Sequence, residues 1–184
     1  MAELQVRSLS GEMKALSEAT IEAFSGGIRG ALMKPDDAGY DDARQIWNAM
    51  IDRQPGMIVQ CSGTADVMSA VRFAREHQLL VSVRGAGHNI AGKSLYDGAL
   101  LIDLSAMNSV RVDPDARVAI ASPGATLGDL DHETQAYGLA VPVGINSTTG
   151  VGGLTLGGGF GWLSRKYGLT VDNLLAAEVI TADG

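Results

Sequence analysis

Two chemistries are written into the ten residues Gly85–Ser94, GAGHNIAGKS. From Gly87 onward they spell G-x-x-x-x-G-K-S, the pattern of a nucleotide-phosphate loop, and the apolar Leu79–Val83 before it reads as the strand such a loop requires. The same stretch is also a tight glycine turn, Arg84-Gly85-Ala86-Gly87-His88, that presents an imidazole. Consecutive backbone N–H groups in a glycine turn form an anion-binding nest with no need of a helix dipole. Gly85 and Gly87 carry no side chain to block a ligand, and a neutral imidazole is nucleophilic near pH 7.

The residues after the loop separate the two readings. A phosphate loop works because its amides and the N-terminus of the next helix converge on the phosphates, so a helix must open near Lys93-Ser94. Here the chain continues Leu95-Tyr96-Asp97-Gly98, a turn signal, and then Ala99-Leu100-Leu101-Ile102-Asp103, a strand. A parallel crossover needs roughly 10–12 residues, and only the few around the Tyr96-Asp97-Gly98 turn are available after the loop. The nucleotide-hydrolase reading is therefore disfavoured. A dinucleotide-binding G-x-G-x-x-G turn fails as well, because Ile90 stands where the third glycine belongs.

These residues must be positioned by elements that the pattern locates. Residues 1–39 read as a helical extension ending in the turn-rich Lys34–Gly39, and Asp41–Met50 as a short helix burying Ile46 and Trp47. Met57–Cys61 and Leu79–Val83 are strands joined by a helix that Thr64 can cap and whose Val67, Ala70, Val71 and Ala74 share a face, a parallel β-α-β unit. Ala99–Ile102 adds a strand. Val110–Val112 and Arg117–Ala121 flank Asp113-Pro114-Asp115-Ala116 as an antiparallel hairpin, and Thr126 caps a helix running to about Tyr137, stopped by Gly138. Gly144–Gly161 is glycine-dense, Trp162–Tyr167 forms a helical turn, and Asp172-Asn173 cap the short helical stretch Val171–Leu175. Glu178–Thr181 is a strand before the turn Asp183-Gly184. A strand left at a turn leads to the expectation that a longer protein continues past it.

Composition narrows the classes. Of 184 residues, 46% are hydrophobic, enough for a packed core, and the formal charge of −7 argues against a general nucleic-acid binder. The single cysteine, Cys61, excludes an internal disulfide framework and is expected to be a buried, inert thiol at a strand end. No apolar run has signal-peptide or membrane-span length, so the expectation is a cytoplasmic protein with no membrane partner and no metal. His77 and His132 fall in helical, solvent-facing positions.

Taken with both glycine loops, the chain resembles the FAD-linked oxidoreductases with a PCMH-type (vanillyl-alcohol-oxidase-like) flavin domain, in particular their bacterial berberine-bridge-enzyme-like branch. The resemblance is carried by Val81-Ser82-Val83-Arg84-Gly85-Ala86-Gly87-His88-Asn89, Gly138-Leu139-Ala140-Val141-Pro142 and Ser147-Thr148-Thr149-Gly150-Val151-Gly152-Gly153. It continues through Gly157-Gly158-Gly159-Phe160-Gly161-Trp162 and Arg165–Asn173, and spans residues from about Tyr40 to Gly184. Each piece alone is common, but their order and spacing make the set specific. It implies an α+β fold, truncated: a PCMH-type FAD-binding domain over residues 40–184 with a small parallel β-α-β lobe and an antiparallel sheet lobe, FAD lying extended between them, and the substrate domain absent.

By resemblance, Arg84, Gly85, Ala86, Gly87, His88 and Asn89 take the pyrophosphate side of FAD, with Arg84 and Lys93 able to neutralise its charge. Gly144, Thr148, Thr149, Gly152, Gly153, Gly157, Gly158 and Gly161 take the ribityl and ring side, and Val179 and Ile180 the adenine end. His88 occupies the position that bonds the flavin 8α-methyl carbon. Bicovalent members carry a cysteine where this chain has Asn146, so only a monocovalent histidyl link is available. Thr149 stands where oxygen approaches the flavin and leaves oxidase and dehydrogenase both open. Tyr167 reads as a packing residue. The implied function is the FAD-binding portion of an oxidoreductase that oxidises an alcohol, sugar or secondary metabolite, passing electrons to molecular oxygen or another acceptor. The alternative is a truncated, non-catalytic flavin-binding module. No residue here can be named as the catalytic base.

With no helix after Ser94, Lys93→Ala should leave any nucleotide binding unchanged. Calorimetric titration with magnesium-ATP and magnesium-GTP checks this, and tight binding abolished by the substitution would restore the phosphate-loop reading.

Overall fold

The computed structural model describes residues 3–184. They form two compact units, one of the chain up to Arg84 with Asn89–Ala106 and Val179–Gly184, the other of Gly85–His88 with Met107–Glu178.

In the first unit, the segment before Gly39 is not the helical run its weak periodicity predicts; Met1 and Ala2, where that run would begin, lie outside the described residues. It holds β1 (Leu4–Arg7) and β2 (Met13–Leu16), paired antiparallel with Val6 opposite Lys14. Alternation along the two strands puts Val6 and Leu16 inward, and both are buried. Helix α1 (Glu18–Ser25) comes next, its N-terminus capped by Ser17 Oγ, which accepts from the Thr20 N–H at 3.2 Å. Strand β3 (Ala31–Met33) then runs antiparallel to β4 (Met57–Gln60).

Between them, α2 (Tyr40–Ala43) is a single turn, shorter than the helix expected over 41–50. The Arg44 guanidinium bonds the Asp41 and Asp52 carboxylates and the Arg53 carbonyl, which draws the chain out of helical geometry. Ile46 is buried as anticipated, but Trp47 is 56% exposed.

Helix α3 (Thr64–His77), β5 (Val81–Arg84) and β6 (Leu100–Asp103) complete a four-stranded sheet ordered β3-β4-β6-β5. The β-α-β unit is parallel as expected, with β6 inserted between its two strands. Strands β5 and β6 are parallel even though few residues come after the glycine loop. The whole of residues 85–99 serves as the crossover, and none of it is helical. Cys61 is fully buried just after β4, where burial pushes its thiol up to about 12 and leaves it inert.

The first residue of α3 is Thr64, so the cap position falls to Gly63, which has no side chain to offer. Asp66 supplies the acceptors instead. Its carboxylate, 3% exposed, takes the Ser62, Arg29 and Gly30 N–H groups and the Ser62 hydroxyl, each at 2.9 Å. This one side chain pins the entry to β3 against the start of α3.

Residues 178–181 are not a strand. Val179 is 72% exposed, and the turn Thr181–Gly184 is held by Gly184 N–H to the Thr181 carbonyl and by Arg75 to the Asp183 carbonyl. A strand exists only by pairing, and nothing among the described residues pairs with this run.

In the second unit, β7 (Val110–Asp113) and β8 (Val118–Ala121) form the expected hairpin, its turn tied by Ala116 N–H to Asp113 Oδ1. Helix α4 (Leu127–Gln135) opens with a capping box between Thr126 and Asp129, and Gly138 sits beyond it at φ 66°. Helices α5 (Val151–Leu156) and α6 (Ser164–Tyr167) and a 3₁₀ turn at Val171–Asn173 complete the unit. Asp172 accepts from Leu169 N–H and Asn173 donates to the Tyr167 and Leu169 carbonyls, so the pair does fasten that turn. Leu127, Leu130 and Val143 form the core, packed by Val110, Ala119 and Leu154. Among the described residues no helix is long and apolar enough to cross a membrane.

Burial alone would raise the Asp66 pKa, but its N–H and hydroxyl donors outweigh this and hold it below the usual carboxylate value. A depressed folded pKa contributes stability that is complete above the unfolded value of about 3.9 and is lost as pH falls through the folded one. Asp66→Ala should therefore cost about 3 kcal/mol or more at neutral pH, since it strands buried donors. In denaturant titrations the variant should also lose less stability than the native chain between about pH 5 and pH 2.

Candidate functional site

The second unit brings the two glycine loops together. Leu127 N–H donates to the Thr149 carbonyl and Gly128 N–H to the Ser147 carbonyl, each at 2.8 Å, while Val151 N–H donates to the Ala125 carbonyl at the same distance. These bonds clamp residues 147–151 to the start of α4, with Thr126 bridging Gly150. Gly150 then lies directly on the first loop. A Cβ there would stand 3.0 Å from both the backbone nitrogen and the Cβ of Ala86, so the approach requires glycine. The same packing rests Gly85 and Gly152 on the Pro123 carbonyl.

The result is a polar relay at the loop junction. Thr148 Oγ lies 3.1 Å from His88 Nε2 and 2.9 Å from Asn146 Oδ1, and the Thr148 backbone N–H donates to the same Asn146 oxygen at 3.1 Å. His88 is half-buried, and that desolvation lowers its pKa below the ordinary histidine value, opposed by a hydrogen bond to the Thr148 backbone. The imidazole is therefore neutral at pH 7, the state in which a ring nitrogen is a nucleophile. No acceptor among the described residues takes the backbone N–H of Gly85, Ala86 or Gly87, and Gly87 is buried. Three such donors in a row are left available to an acceptor.

Beside the junction opens a cavity of about 330 Å³. Gly144, Gly153, Gly157 and Gly159 contribute bare backbone to its wall, and Asn146, Thr149, Leu154 and Phe160 contribute side chains. Its size and largely apolar lining suit a planar ring, and it falls within the roughly 300–1,000 Å³ of small-molecule sites.

Four of the candidate residues, Arg84, Asn89, Val179 and Ile180, belong to the first unit. Arg84 belongs to the first unit and is 7% exposed; its guanidinium pairs with the fully buried Asp103 at 2.7 Å and donates to the Gln45 carbonyl at 2.9 Å. Asn89, also in the first unit, accepts the Lys93 N–H. Val179 and Ile180 lie in that unit too, outside any strand. Gly158 takes a turn at φ 98°. Gly161 packs so closely on the Val143 carbonyl that a Cβ would stand 1.9 Å away, which makes its role backbone packing. Tyr167 is 52% exposed with the Lys166 ammonium over its ring.

The sequence pattern marks Asn146 only for the thiol it lacks and does not reveal its bonds to Thr148. The Asn-x-Thr spacing is the available signal, since an asparagine side chain often bonds the backbone two residues on. Phe160, Leu154 and Ile145 carry no such signal in a glycine-rich stretch.

A family profile described as "FAD binding domain" matches residues 55–184. The chain belongs to that family. Among relatives of this FAD-binding domain, the (R)-6-hydroxynicotine oxidase of Paenarthrobacter nicotinovorans is 40% identical over 157 residues, 85% of this chain and 34% of the relative. Berberine bridge enzyme-like 28 of Arabidopsis thaliana is 40% identical over 136 residues, 71% of this chain and 26% of that protein. The solved structure of Phl p 4, a grass pollen allergen with glucose dehydrogenase activity, superposes with a TM-score of 0.84 at 30% identity, covering 89% of this chain and 36% of that one. The FAD-binding domain thus has the PCMH-type α+β fold of the berberine-bridge-like flavoproteins, and it spans about a third of the length of the curated relatives it matches.

Because Gly161 has no space for a side chain, Gly161→Ala should cost at least about 1–3 kcal/mol from overpacking on the Val143 carbonyl. Thermal unfolding should show it well below Gly153→Ala, since a Cβ at Gly153 meets nothing within 4 Å.

Proposed function

We propose that this FAD-binding domain serves an oxidoreductase that removes a hydride and a proton from a small alcohol, sugar or secondary metabolite, passing the electrons to oxygen or another acceptor. The observation that carries the reading is the junction of the two glycine loops: unsatisfied backbone amides, a neutral half-buried imidazole and an adjoining ring-sized cavity. Three parts of FAD would find a matching chemistry there. The Gly85–Gly87 amides suit the pyrophosphate, the cavity at Gly144, Thr149 and Gly153 suits part of the ring system, and His88 suits attachment at the 8α-methyl carbon. When bound, FAD supplies a two-electron acceptor, which the protein's own side chains cannot provide.

The chain's residues do the holding and the shielding. Neutral His88 offers an unprotonated ring nitrogen for the single covalent link, and Asn146, which has no thiol, adds none. The bare glycine backbone would leave room for the ring at the cavity wall, and Leu154 and Phe160 would offer it apolar contact. Thr149, partly buried at the cavity, would stand beside the ring where oxygen or another acceptor approaches.

The test is retention of flavin on the denatured chain. In-gel fluorescence after denaturing electrophoresis should show a flavin on the native protein and none on His88→Ala. Acid precipitation that releases all flavin from folded native protein would remove the covalent part of the proposal, and a native protein that never copurifies with FAD would remove the rest.

A further inference from the structure

The apolar pattern of β5 argues against the register that the strand adopts. Its residues Val81-Ser82-Val83-Arg84 pair with Leu100–Asp103 so that Ser82 and Arg84 are buried, while Val83 on the other face is 53% exposed. The buried Ser82 hydroxyl has no hydrogen-bond partner among the described residues, which costs free energy. A slip of one residue along β6 would exchange the two faces, burying the valines and freeing the serine. Among the described residues β5 is an edge strand paired with β6 alone. Leu79, fully buried, anchors its entry, but no apolar side chain does the same at its far end.

A two-point ion pair stands at that end instead. Arg84 and Asp103 are the last residues of β5 and β6 and lie opposite one another. The guanidinium donates from Nη2 to Asp103 Oδ2 at 2.7 Å, from Nε to Oδ1 at 3.3 Å, and from Nη1 to the Gln45 carbonyl at 2.9 Å. Asp103 Oδ1 also accepts the Ser105 N–H at 3.1 Å, and the Arg84 carbonyl accepts the Leu104 N–H at 2.8 Å. A slip would turn Arg84 to the other face and leave the Asp103 charge buried and unpaired, which is strongly unfavourable. We infer that Arg84 and Asp103 are positioning residues whose fork holds β5 in this register against its apolar pattern, and so sets where Gly85–Gly87 leave the sheet to take a pyrophosphate. The inference rests on the reading of that glycine turn as the phosphate side of FAD. Gly85 follows Arg84 directly, and a slip of one residue would displace the turn by about 3.3 Å, as far as a hydrogen bond is long. Registry, more than net stability, is the role for which buried ion pairs are best attested.

Stability and flavin uptake should therefore come apart on substitution. Asp103→Leu alone should lower the melting temperature, because the guanidinium is left buried without its partner. Arg84→Met combined with Asp103→Leu should recover a melting temperature close to the native one. The double variant should nevertheless bind FAD less tightly, on the order of tenfold or more in flavin-fluorescence titrations, the loss of one hydrogen bond to a charged phosphate. Arg84→Lys, which keeps the charge but not the fork, should stay folded and lose affinity in the same direction. Cross-strand backbone NOEs in the flavin-free chain read the register itself. The native chain should pair Val81 with Leu100 and Val83 with Ile102, and the double variant should lose those pairs. A double variant that keeps the native register, or either variant binding FAD as tightly as the native chain, would overturn the inference. A register that shifts as stated, in a protein whose native chain takes up no FAD, would instead strike the flavin reading and leave the registry role in place.

Discussion

The site depends on one close backbone contact, Gly150 against Ala86. The two segments are far apart in sequence, and each has little to hold it alone: one is a glycine turn leaving a strand, the other a loop before a short helix. The approach is possible only because residue 150 has no side chain, since a Cβ there would stand 3.0 Å from Ala86, and it is kept by bonds that tie residues 147–151 to the first turn of α4. The capping box at Thr126 makes that turn rigid, and the Leu127–Leu130–Val143 cluster seats it in the core. Without this contact His88 would not meet Thr148, and the relay to Asn146 would have no partner.

Buried charge is sparing in both units. In the first, a single carboxylate, Asp66, satisfies four donors, and Arg84 and Asp103 neutralise one another inside the sheet. Replacing such a buried pair with apolar residues is often neutral, whereas removing one partner leaves a buried charge. In the second unit the working groups are neutral: backbone amides, an imidazole, a hydroxyl and an amide. Anion recognition by backbone needs no cation, and this explains how an acidic chain can serve an anionic cofactor.

Helix α5 shows tertiary structure overriding propensity. Its sequence, VGGLTL, carries two glycines that each disfavour a helix interior by roughly 1 kcal/mol. The helix forms because Val151 is anchored to Ala125, Leu154 joins the core cluster, and Gly152 fits against the Pro123 carbonyl where a larger residue would crowd. The glycines that look like a flexible hinge are instead the residues that permit close packing.

The sequence alone determined the features with local causes. The apolar runs at Met57–Gln60 and Leu100–Asp103 had to be buried strands, Thr126 with Asp129 had to open a helix, and the turn residues after Ser94 excluded the helix that a phosphate loop needs. The order of glycine and aromatic residues was enough to identify the family. Only the tertiary structure decided whatever needed a distant partner. Residues 4–16 became a hairpin because pairing buries Val6 and Leu16, a gain their periodicity did not reveal, while the β-branched Val179-Ile180-Thr181 run, with no strand beside it, stayed irregular. The pairing of Arg84 with Asp103 was likewise decided by the register of β5 on β6.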